Sequence, residues 1–411
     1  MFGGGGDATI AKATLKPGAL RVRLQIHYLL LFAPFAIATT YQNLHFKRCG
    51  FTESEIGTLN ALAALLAVLS PPLWGMVTDR AGDKRIPLAL LFLASGATYP
   101  LFLLADSLGS ALLIQAVFNF SFAPCIPLTD AIALELLPRA GGDYGRIRLW
   151  GSLGFIVTLL VSGLFLGGGP LAPKGGGDLV ATFVAFGIVR VLGAAWVLSL
   201  PRGEAPQAVA TYRGDLGALF RDRGFLLFLA ATFLCNTALR SYYVFLSIYL
   251  DGLGVSDSMK GVFWSLGVAA EVVFMVFAWR LVQRMGVCGM LMLGMAGGAL
   301  RLILFSLSLP VGAVALAQGL HALAFGATHI ASLTFINASV PERFRASGQT
   351  LHAAIVGGLG GVLGSRLAGD LAQAWGIPAA FRACGLLAGV AALLVVLLPE
   401  RQTGTGEEKS G

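Results

Sequence analysis

Apolar runs of about twenty residues recur along nearly the whole chain, and short polar joints separate them. A helix of about that length crosses the hydrocarbon core of a bilayer. The runs predict helices over residues 24–44, 54–78, 86–105, 108–136, 145–168, 178–199, 224–250, 259–281, 287–308, 310–337, 345–373 and 377–398. The pattern therefore predicts an all-α membrane protein with twelve transmembrane helices.

The longest polar interruption lies at 201–223 and contains the sequence PRGEAPQAVATYRGD. It divides the apolar runs into two equal sets, which predicts an N-terminal six-helix bundle over 24–200 and a C-terminal six-helix bundle over 224–398. The interruption itself is predicted to be a cytoplasmic linker. The ends of the chain, 1–23 and 399–411, are expected to be cytoplasmic tails, and the first of them is basic and flexible.

Short matches within the sequence recur at an offset of 203 or 204 residues. The matched positions are Arg80, Ala81 and Gly82 with Arg284, Met285 and Gly286, and Pro138, Gly145 and Gly154 with Pro341, Gly348 and Gly357. A shared offset indicates that one half of the chain repeats the other. The repeat predicts two pseudo-symmetric bundles that face each other across a central cavity.

Composition and charge narrow the class of protein further. The chain is 56% hydrophobic and 12% charged, with a mean hydropathy of +0.78, and this excludes an ordinary soluble surface. The net charge of +8 comes from basic residues scattered between apolar runs, so no nucleic acid is expected as a partner. Their placement predicts that both termini lie in the cytoplasm. The five cysteines have no CxxC or metal-ligand spacing, so neither a metal nor another cofactor is expected.

Three charged residues in the N-terminal half stand out because they lie within or beside apolar runs. Asp130 lies within one run, and Arg146 and Arg148 open the next. Two residues apart on a helix, these arginines point about 200° away from each other, so only one of them faces the protein interior. Arg148, Ser152 and Phe155 share a helical stripe. Because an acid and an arginine in a membrane are costly unless they are paired or used, this pattern predicts half of a solute site.

The C-terminal half carries its own charges within apolar runs. Arg240, Glu271, Arg301 and His321 are predicted to lie near the middle of the membrane, where a charge costs about 2.5–3.5 kcal/mol. They are therefore expected to face the cavity. Gln318 lies three residues before His321 on the same helix face. We assign Arg240 and Gln318 to solute binding, and Glu271, Arg301 and His321 to proton coupling, which needs a group whose charge changes.

Other polar residues in apolar runs leave more than one interpretation open. Arg366 and Asp370 lie four residues apart, and this spacing favours a structural ion pair. His329 and His352 fit a structural and a functional role equally well. Arg190, near the middle of a predicted helix, is also open to both.

The segment 127–155 reads PLTDAIALELLPRAGGDYGRIRLWGSLGF, and it resembles the region of helices 4 and 5 in the major facilitator superfamily. The similarity is to the lactose-permease-like branch and the related 3-phenylpropionate and nucleoside proton symporters. It rests on the PxxD element from Pro127, the YGRIR element from Tyr144 and the LWGS element from Leu149. The resemblance implies a two-bundle fold that transports solutes by alternating access.

A second segment, GMVTDRAGDKR from Gly75, resembles the superfamily loop G-x-x-x-D-R-x-G-R-R-K, with Asp83 where a basic residue is usual. Gly75 and Gly82 are expected to allow a close helix approach and a tight turn. Asp79 and Arg80 are expected to bind nearby helix ends. The loop therefore predicts a gating latch that holds the two bundles together on the cytoplasmic side.

Glu271, Arg301 and His321 also resemble the acidic, arginine and histidine positions on helices 8, 9 and 10 of the lactose permease. The permease pattern has a lysine and an acid where this chain has Gln318 and Ala324. The proton route of the permease is therefore not carried over, and Arg301 is expected to lower the pKa of Glu271 where the two lie close.

The combined prediction is a secondary active transporter, a monomer in the bacterial cytoplasmic (inner) membrane, that couples a small organic solute to protons by symport. Excess positive charge in the predicted cavity favours an anionic or strongly hydrogen-bonding solute. An aromatic carboxylate fits both this charge and what the resemblance implies, and sugars or nucleosides come next. A drug or metabolite efflux proton antiporter of the same fold is the alternative. An enzyme is not expected, because the sequence shows no soluble catalytic domain and no nucleophile–base pair.

Overall fold

The computed structural model describes residues 16–167, 179–203, 221–307 and 309–398, and its regular elements there are all helices. Most helices are long and apolar enough to cross a membrane. They are α1 Pro17–Arg48, α2 Glu53–Ala81, α3 Arg85–Leu104, α4 Leu108–Ala140, α5 Tyr144–Phe165, α6 Val180–Leu198, α7 Arg223–Gly252, the long segment Asp257–Phe305, α10 Val311–Ser339, α11 Ser347–Trp375 and α12 Ile377–Val395.

The 49-residue segment Asp257–Phe305 consists of two membrane helices. At 1.5 Å per residue it would be roughly 74 Å long as one helix, more than twice the hydrocarbon thickness. Gly286 interrupts it with φ 70° and ψ 173°, which are not helical angles. We therefore divide it into α8 (257–285) and α9 (287–305). The described chain then has twelve membrane helices, as predicted.

The internal repeat is visible in the turns. Gly82 ends α2 with φ 66°, and Gly286 ends α8 with φ 70°. Both positions need the left-handed region that glycine occupies readily. Gly145 and Gly348 each lie in the first turn of a helix, the one that begins at Tyr144 and the one that begins at Arg345. Helices α1–α6 and α7–α12 thus form two pseudo-symmetric bundles, here the N bundle and the C bundle.

The first helix begins earlier than predicted. The sequence pattern assigns 1–23 to a flexible tail, but α1 starts at Pro17 and already buries Leu20. Proline suits the first helical turn because its missing N–H would have no partner there. The other predicted tail, 399–411, residues 1–15 and most of the linker at 201–223 lie outside the described residues, so the domain boundaries remain predictions.

Glycines let α1 and α5 touch through their backbones. A Cβ on Gly154 would lie 2.8 Å from the Cα of Leu29, and a Cβ on Gly151 would lie 2.7 Å from the ring of Phe32 and 2.9 Å from Nη1 of Arg148. Only a residue without a side chain fits at such distances. This approach of α5 to α1 places Arg148 on the aromatic side chains of α1.

The two bundles are joined at the end of the helices that carries Arg48, here the Arg48 end. Arg48 binds Asp257 of α8 with two hydrogen bonds of 2.8 Å. Nearby, α2 and α11 meet at a pair of glycines. A Cβ on Gly57 would lie 2.9 Å from the Cα of Gly369 and 2.7 Å from the carbonyl oxygen of Ser365. Ionic contacts and close backbone packing therefore close this end.

The opposite end carries the predicted gate and is here named the Asp79 end. Asp79 and Arg80 are exposed there, and neither makes an ion pair within the described part of the chain. A Cβ on Gly75 would meet nothing within 4 Å, so the predicted close helix approach at Gly75 is wrong for this conformation. Gly82 does form the predicted tight turn. The bundles are thus joined at the Arg48 end, and the predicted latch residues do not join them at the other.

Candidate functional site

The structure brings Asp130 and Arg148 together on the inner side of the N bundle. Arg148 Nε lies 4.0 Å from Asp130 Oδ1, and the two side chains are 28% exposed at the acid and 33% exposed at the arginine. Tyr28 of α1 donates a 2.6 Å hydrogen bond to the same carboxylate oxygen. Arg146 is exposed at the start of α5, so Arg148 is the arginine of the two that faces inward.

The Arg148 guanidinium is held mainly by aromatic rings. Its central carbon lies 4.2 Å from the ring centre of Phe32 and 5.5 Å from that of Tyr28. Cation–π contacts of this kind leave the N–H groups in the guanidinium plane able to donate. Asp130 is bound tightly by Tyr28 and only loosely by Arg148. N–H groups of Arg148 therefore remain available to bind a second anion, such as a solute carboxylate.

The remainder of the predicted α5 stripe contributes unequally. Ser152 is half-buried and lies one turn beyond Arg148. Phe155 is buried, with its ring centre 6.3 Å from that of Phe35 on α1. In this conformation Phe155 is therefore a packing residue and does not line the open face, contrary to the sequence expectation.

The C bundle contains a chain of three polar side chains. Arg301 Nη1 lies 2.7 Å from His321 Nδ1, and His321 Nε2 lies 3.7 Å from Glu271 Oε2. Arginine can only donate, so His321 Nδ1 accepts, and the proton of the neutral ring resides on Nε2, facing Glu271. In this row of contacting side chains, His321 lies between Arg301 and Glu271.

This order corrects one expectation from the sequence. Arg301 is fully buried, with its guanidinium 3.8 Å from the ring centre of Tyr242, and it contacts His321 and not Glu271. Burial is the main influence on the Glu271 carboxyl, and the positive charge of Arg148 in the N bundle is a weaker one. The sequence could not show this, because His321 and Arg148 come from different helices than the acid.

The two predicted solute ligands of the C bundle are bound to other protein groups. Gln318 is fully buried, accepts a 3.3 Å hydrogen bond from Tyr242 and donates a 3.2 Å bond to the Phe263 carbonyl, so it does not reach the open face. Arg240 is half-buried and donates 3.2 Å to the carbonyl of Gly357, within a π-helical turn of α11. A π turn leaves some carbonyls available to outside donors.

The sequence profile described as the MFS_1 like family matches residues 21–383. The chain belongs to this family. It is 26% identical over 389 residues to the maltose permease of Geobacillus stearothermophilus, covering 93% of this chain and 96% of that protein. It is 27% identical over 321 residues to the probable 3-phenylpropionic acid transporter of Escherichia coli (strain K12), covering 77% and 82%.

The fold has a solved counterpart in the crystal structure of a mutant of the nucleoside transporter NupG. The TM-score is 0.82 at 20% identity, covering 93% of this chain and 100% of that one. Family and fold together show that this MFS_1 like protein is a multi-pass secondary transporter of small organic solutes. None of these three names describes an efflux pump, and the efflux alternative is not favoured.

In this MFS_1 like transporter, three of the residues with an open interpretation have structural positions. Arg366 and Asp370 form the expected ion pair at 2.9 Å, with both side chains about half exposed. Arg190 is buried in the core of the N bundle, where its guanidinium lies 4.7 Å from the ring centre of Phe92 and 4.6 Å from that of Phe122. It does not face the C bundle.

Asp83, which stands where the gating loop usually has a basic residue, connects parts of the N bundle to one another. It is buried and accepts hydrogen bonds of 2.7 Å from Arg85 and 2.9 Å from Arg202, just beyond α6. The hydrogen bond from Arg85 is the largest influence, and together with the bond from Arg202 it holds the pKa of Asp83 well below its usual range despite burial. Lys84 pairs with Glu135 of α4 beside it. The loop is therefore anchored to α4 and to the end of α6.

Sequence reasoning missed Tyr28 and Phe32, although α1 carries aromatic residues at four- and three-residue spacing through Phe35. It also missed Phe325, which lies between two histidines at four-residue spacing on α10. In each case the signal was present as a helical stripe. A stripe alone does not tell a packed face from a functional one.

Proposed function

We propose that this transporter is a proton-coupled symporter of a small organic anion, and that it works by alternating access in the bacterial cytoplasmic membrane. The observation that carries the proposal is the position of Arg148. It lies on the inner face of the N bundle, bound loosely by Asp130, with its guanidinium against the rings of Phe32 and Tyr28. We propose that a solute bound there lies close to Glu271 and His329 of the C bundle, and the electrostatic influence of Arg148 on these two groups supports this placement.

An anion suits this place for electrostatic reasons. A carboxylate can take two hydrogen bonds from one guanidinium, a strong and directional interaction. Asp130 would hold Arg148 in position when the site is empty. The relatives add sugars and nucleosides as further solute classes, and an aromatic carboxylate is our first choice because it fits the arginine.

Glu271 is the proposed proton carrier. His321 already uses Nδ1 to accept from Arg301, so a second proton on its ring would place a cation beside a cation. Glu271 meets no such obstacle, since it can bind a proton while His321 Nε2 faces it. Arg148 would favour the ionised acid until a solute anion neutralises the arginine, and solute binding would then promote protonation of Glu271.

The conformation described here corresponds to a state that is open to the cytoplasm, if both termini are cytoplasmic as the basic residues predict. The Arg48 end would then face outward, and the exposed Asp79 and Arg80 would lie at the open cytoplasmic side. Bonding of Arg48 to Asp257 supports this assignment, because an outer closure is what an inward-open carrier needs. The functional unit is proposed to be the monomer, with the linker at 201–223 between its bundles.

Purified protein reconstituted in liposomes tests the proposal. Adding 3-phenylpropionate to vesicles with a pH-sensitive dye inside should acidify the lumen faster than in vesicles without protein, and an imposed proton gradient should drive faster, saturable accumulation of the labelled compound. Maltose and adenosine serve as competitors for the other solute classes. Accumulation without any proton movement, or outward pumping against a gradient, would contradict symport.

A further inference from the structure

Three aromatic side chains of α10 form a stack along the helix, here the α10 ladder: His321, Phe325 and His329. The ring centres of His321 and Phe325 are 6.0 Å apart with an interplanar angle of 8°, and those of Phe325 and His329 are 5.7 Å apart at 5°. Parallel rings at these distances are in the favourable offset-stacked range. The three rings thus form one aromatic wall.

The backbone of α10 explains the alignment. Residues four apart on an α-helix drift around its surface, so a first and a ninth residue would diverge in direction. Here the turn Ala322–Ala327 is π-helical, with hydrogen bonds to the fifth residue. Its wider turn offsets the drift and keeps His321 and His329 on one face. π turns occur frequently at functional sites.

One end of the ladder lies beside the proposed proton carrier. His321 Nε2 is 3.7 Å from Glu271 Oε2. Phe325, between the histidines, is 41% exposed, and His329 is exposed as well. Phe325 and His329 therefore offer an accessible aromatic surface that is continuous with the ring in contact with Glu271.

We propose that the α10 ladder is the ring-recognition wall of the solute site, and that the solute carries a planar, conjugated ring. The ring lies against Phe325 and His329, and the anionic group of the same molecule reaches Arg148. The position of the anion rests on the proposed function above. The ring contact does not depend on the proposed function, because it is inferred from the α10 ladder alone.

Stacking distinguishes solutes that charge alone does not. An aromatic ring presents π faces and hydrogen-bearing edges that complement Phe325, whereas a saturated ring of similar size offers neither. A sugar would also leave hydroxyl groups against an apolar ring. The ladder therefore selects aromatic carboxylates or nucleosides over saturated acids and disaccharides.

Matched ligand pairs test the wall. Binding to the purified full chain is measured by calorimetry for 3-phenylpropionate and 3-cyclohexylpropionate, which share the carboxylate and chain length. Adenosine and maltose form the uncharged pair. The parent protein should bind the phenyl acid roughly tenfold tighter than the cyclohexyl acid. Phe325→Leu should bring that ratio close to one, and Phe325→Trp should keep it.

Phe277→Leu is the control, because Phe277 is similarly exposed at 49% but lies outside the ladder; it should leave the ratio unchanged. Equal binding of the two acids by the parent, or an unchanged ratio in Phe325→Leu, would contradict ring recognition by the α10 ladder. Neither result would contradict anion binding at Arg148. Binding of adenosine that depends on Phe325, without binding of either acid, would uphold the wall and overturn the anion site. Binding of maltose alone would overturn both.

Discussion

Arg48 and Asp257 form a two-pronged ion pair across the two bundles, with Nη1 to Oδ2 and Nη2 to Oδ1 distances of 2.8 Å each. Asp251 of α7 accepts a third bond from Arg48, and buried Lys260 binds both aspartates from within the C bundle. The N bundle therefore contributes one cation to a C-bundle network that is already paired. Loss of Arg48 removes the cross-bundle bond without leaving either acid unpaired.

Arg48→Met is predicted to open the Arg48 end. The pair is partly exposed, so its loss should shift the balance by about 1 kcal/mol, or roughly fivefold in population. Spin labels at Gly109 and Gly252, which lie on different bundles at this end, report the change as a longer distance distribution. The exposed Cys49 is replaced by serine in all variants.

Lys47→Met is the matched control, because Lys47 pairs with Glu53 inside the N bundle at 2.6 Å. It should leave the label distance as it is in the parent. Equal distance changes in the two variants would mean that general loss of charge, and not the cross-bundle pair, governs this end.

Asp79→Asn is predicted to slow the transport cycle and to leave solute affinity intact. Asp79 is exposed at the Asp79 end, and its side chain makes no ion pair with the described residues that the substitution would break. Its partners are expected only when the bundles meet at that end. Steady-state uptake and calorimetric Kd measure the two effects separately, and a weaker Kd with normal uptake would be the opposite of this prediction.

Arg148→Lys should weaken binding of an anionic solute despite keeping the charge. Lysine lacks the planar pair of donors, and loss of a charge-assisted hydrogen bond costs about 1.5–3 kcal/mol, roughly ten- to a hundredfold in Kd. Arg146→Lys, on the same helix but exposed, is the control and should bind like the parent. If Arg148→Lys binds as the parent does, Arg148 is not the anchor.

Glu271→Gln should separate exchange from accumulation. The amide cannot release a proton, so solute exchange between preloaded vesicles should continue, while pH-driven uphill uptake should stop. Glu342→Gln removes an exposed acid between α10 and α11 and should accumulate solute normally. Normal accumulation by Glu271→Gln would require another group to carry the proton.

Asp83→Asn should destabilise the N bundle by about 1–3 kcal/mol near neutral pH, because it removes the acceptor of Arg85 and Arg202. The folded-state pKa of Asp83 lies below its unfolded value, so its stabilising effect is complete above about pH 4 and is lost as pH falls through the folded value. Thermal unfolding at stepwise lower pH should show parent and variant converging. If the difference in thermal stability between parent and variant stays constant as the pH falls, the effect of the substitution comes from packing and not from the charge of Asp83.

The membrane helices followed from the sequence because burial in lipid demands long apolar runs. Their ends were less accurate where polar residues continue a helix into the interface, as at Pro17. The division at Gly286 was also predictable, since the repeat relates it to Gly82 at a turn. These features can be predicted from the order of residues along the chain, without knowledge of contacts between helices.

The site was only partly predictable, because contacts between helices decide it. The Asp130 and Arg148 pairing was expected, whereas the caging of Arg190 by phenylalanines was not, because an arginine can be satisfied by aromatic rings as well as by acids. The place of Arg301 next to His321 required three-dimensional information. So did the π turn at Ala322–Ala327, which has no reliable signature in sequence.

The glycine pair Gly57 and Gly369 has a thermodynamic consequence for the cycle. A methyl group on either residue would collide with the facing backbone while α2 and α11 touch, but would meet no such neighbour once they part. Its entire steric cost would fall on one conformation, and a perturbation confined to one state shifts the equilibrium by its full amount. Alanine at either position would therefore bias the carrier toward the opposite orientation without altering the solute site.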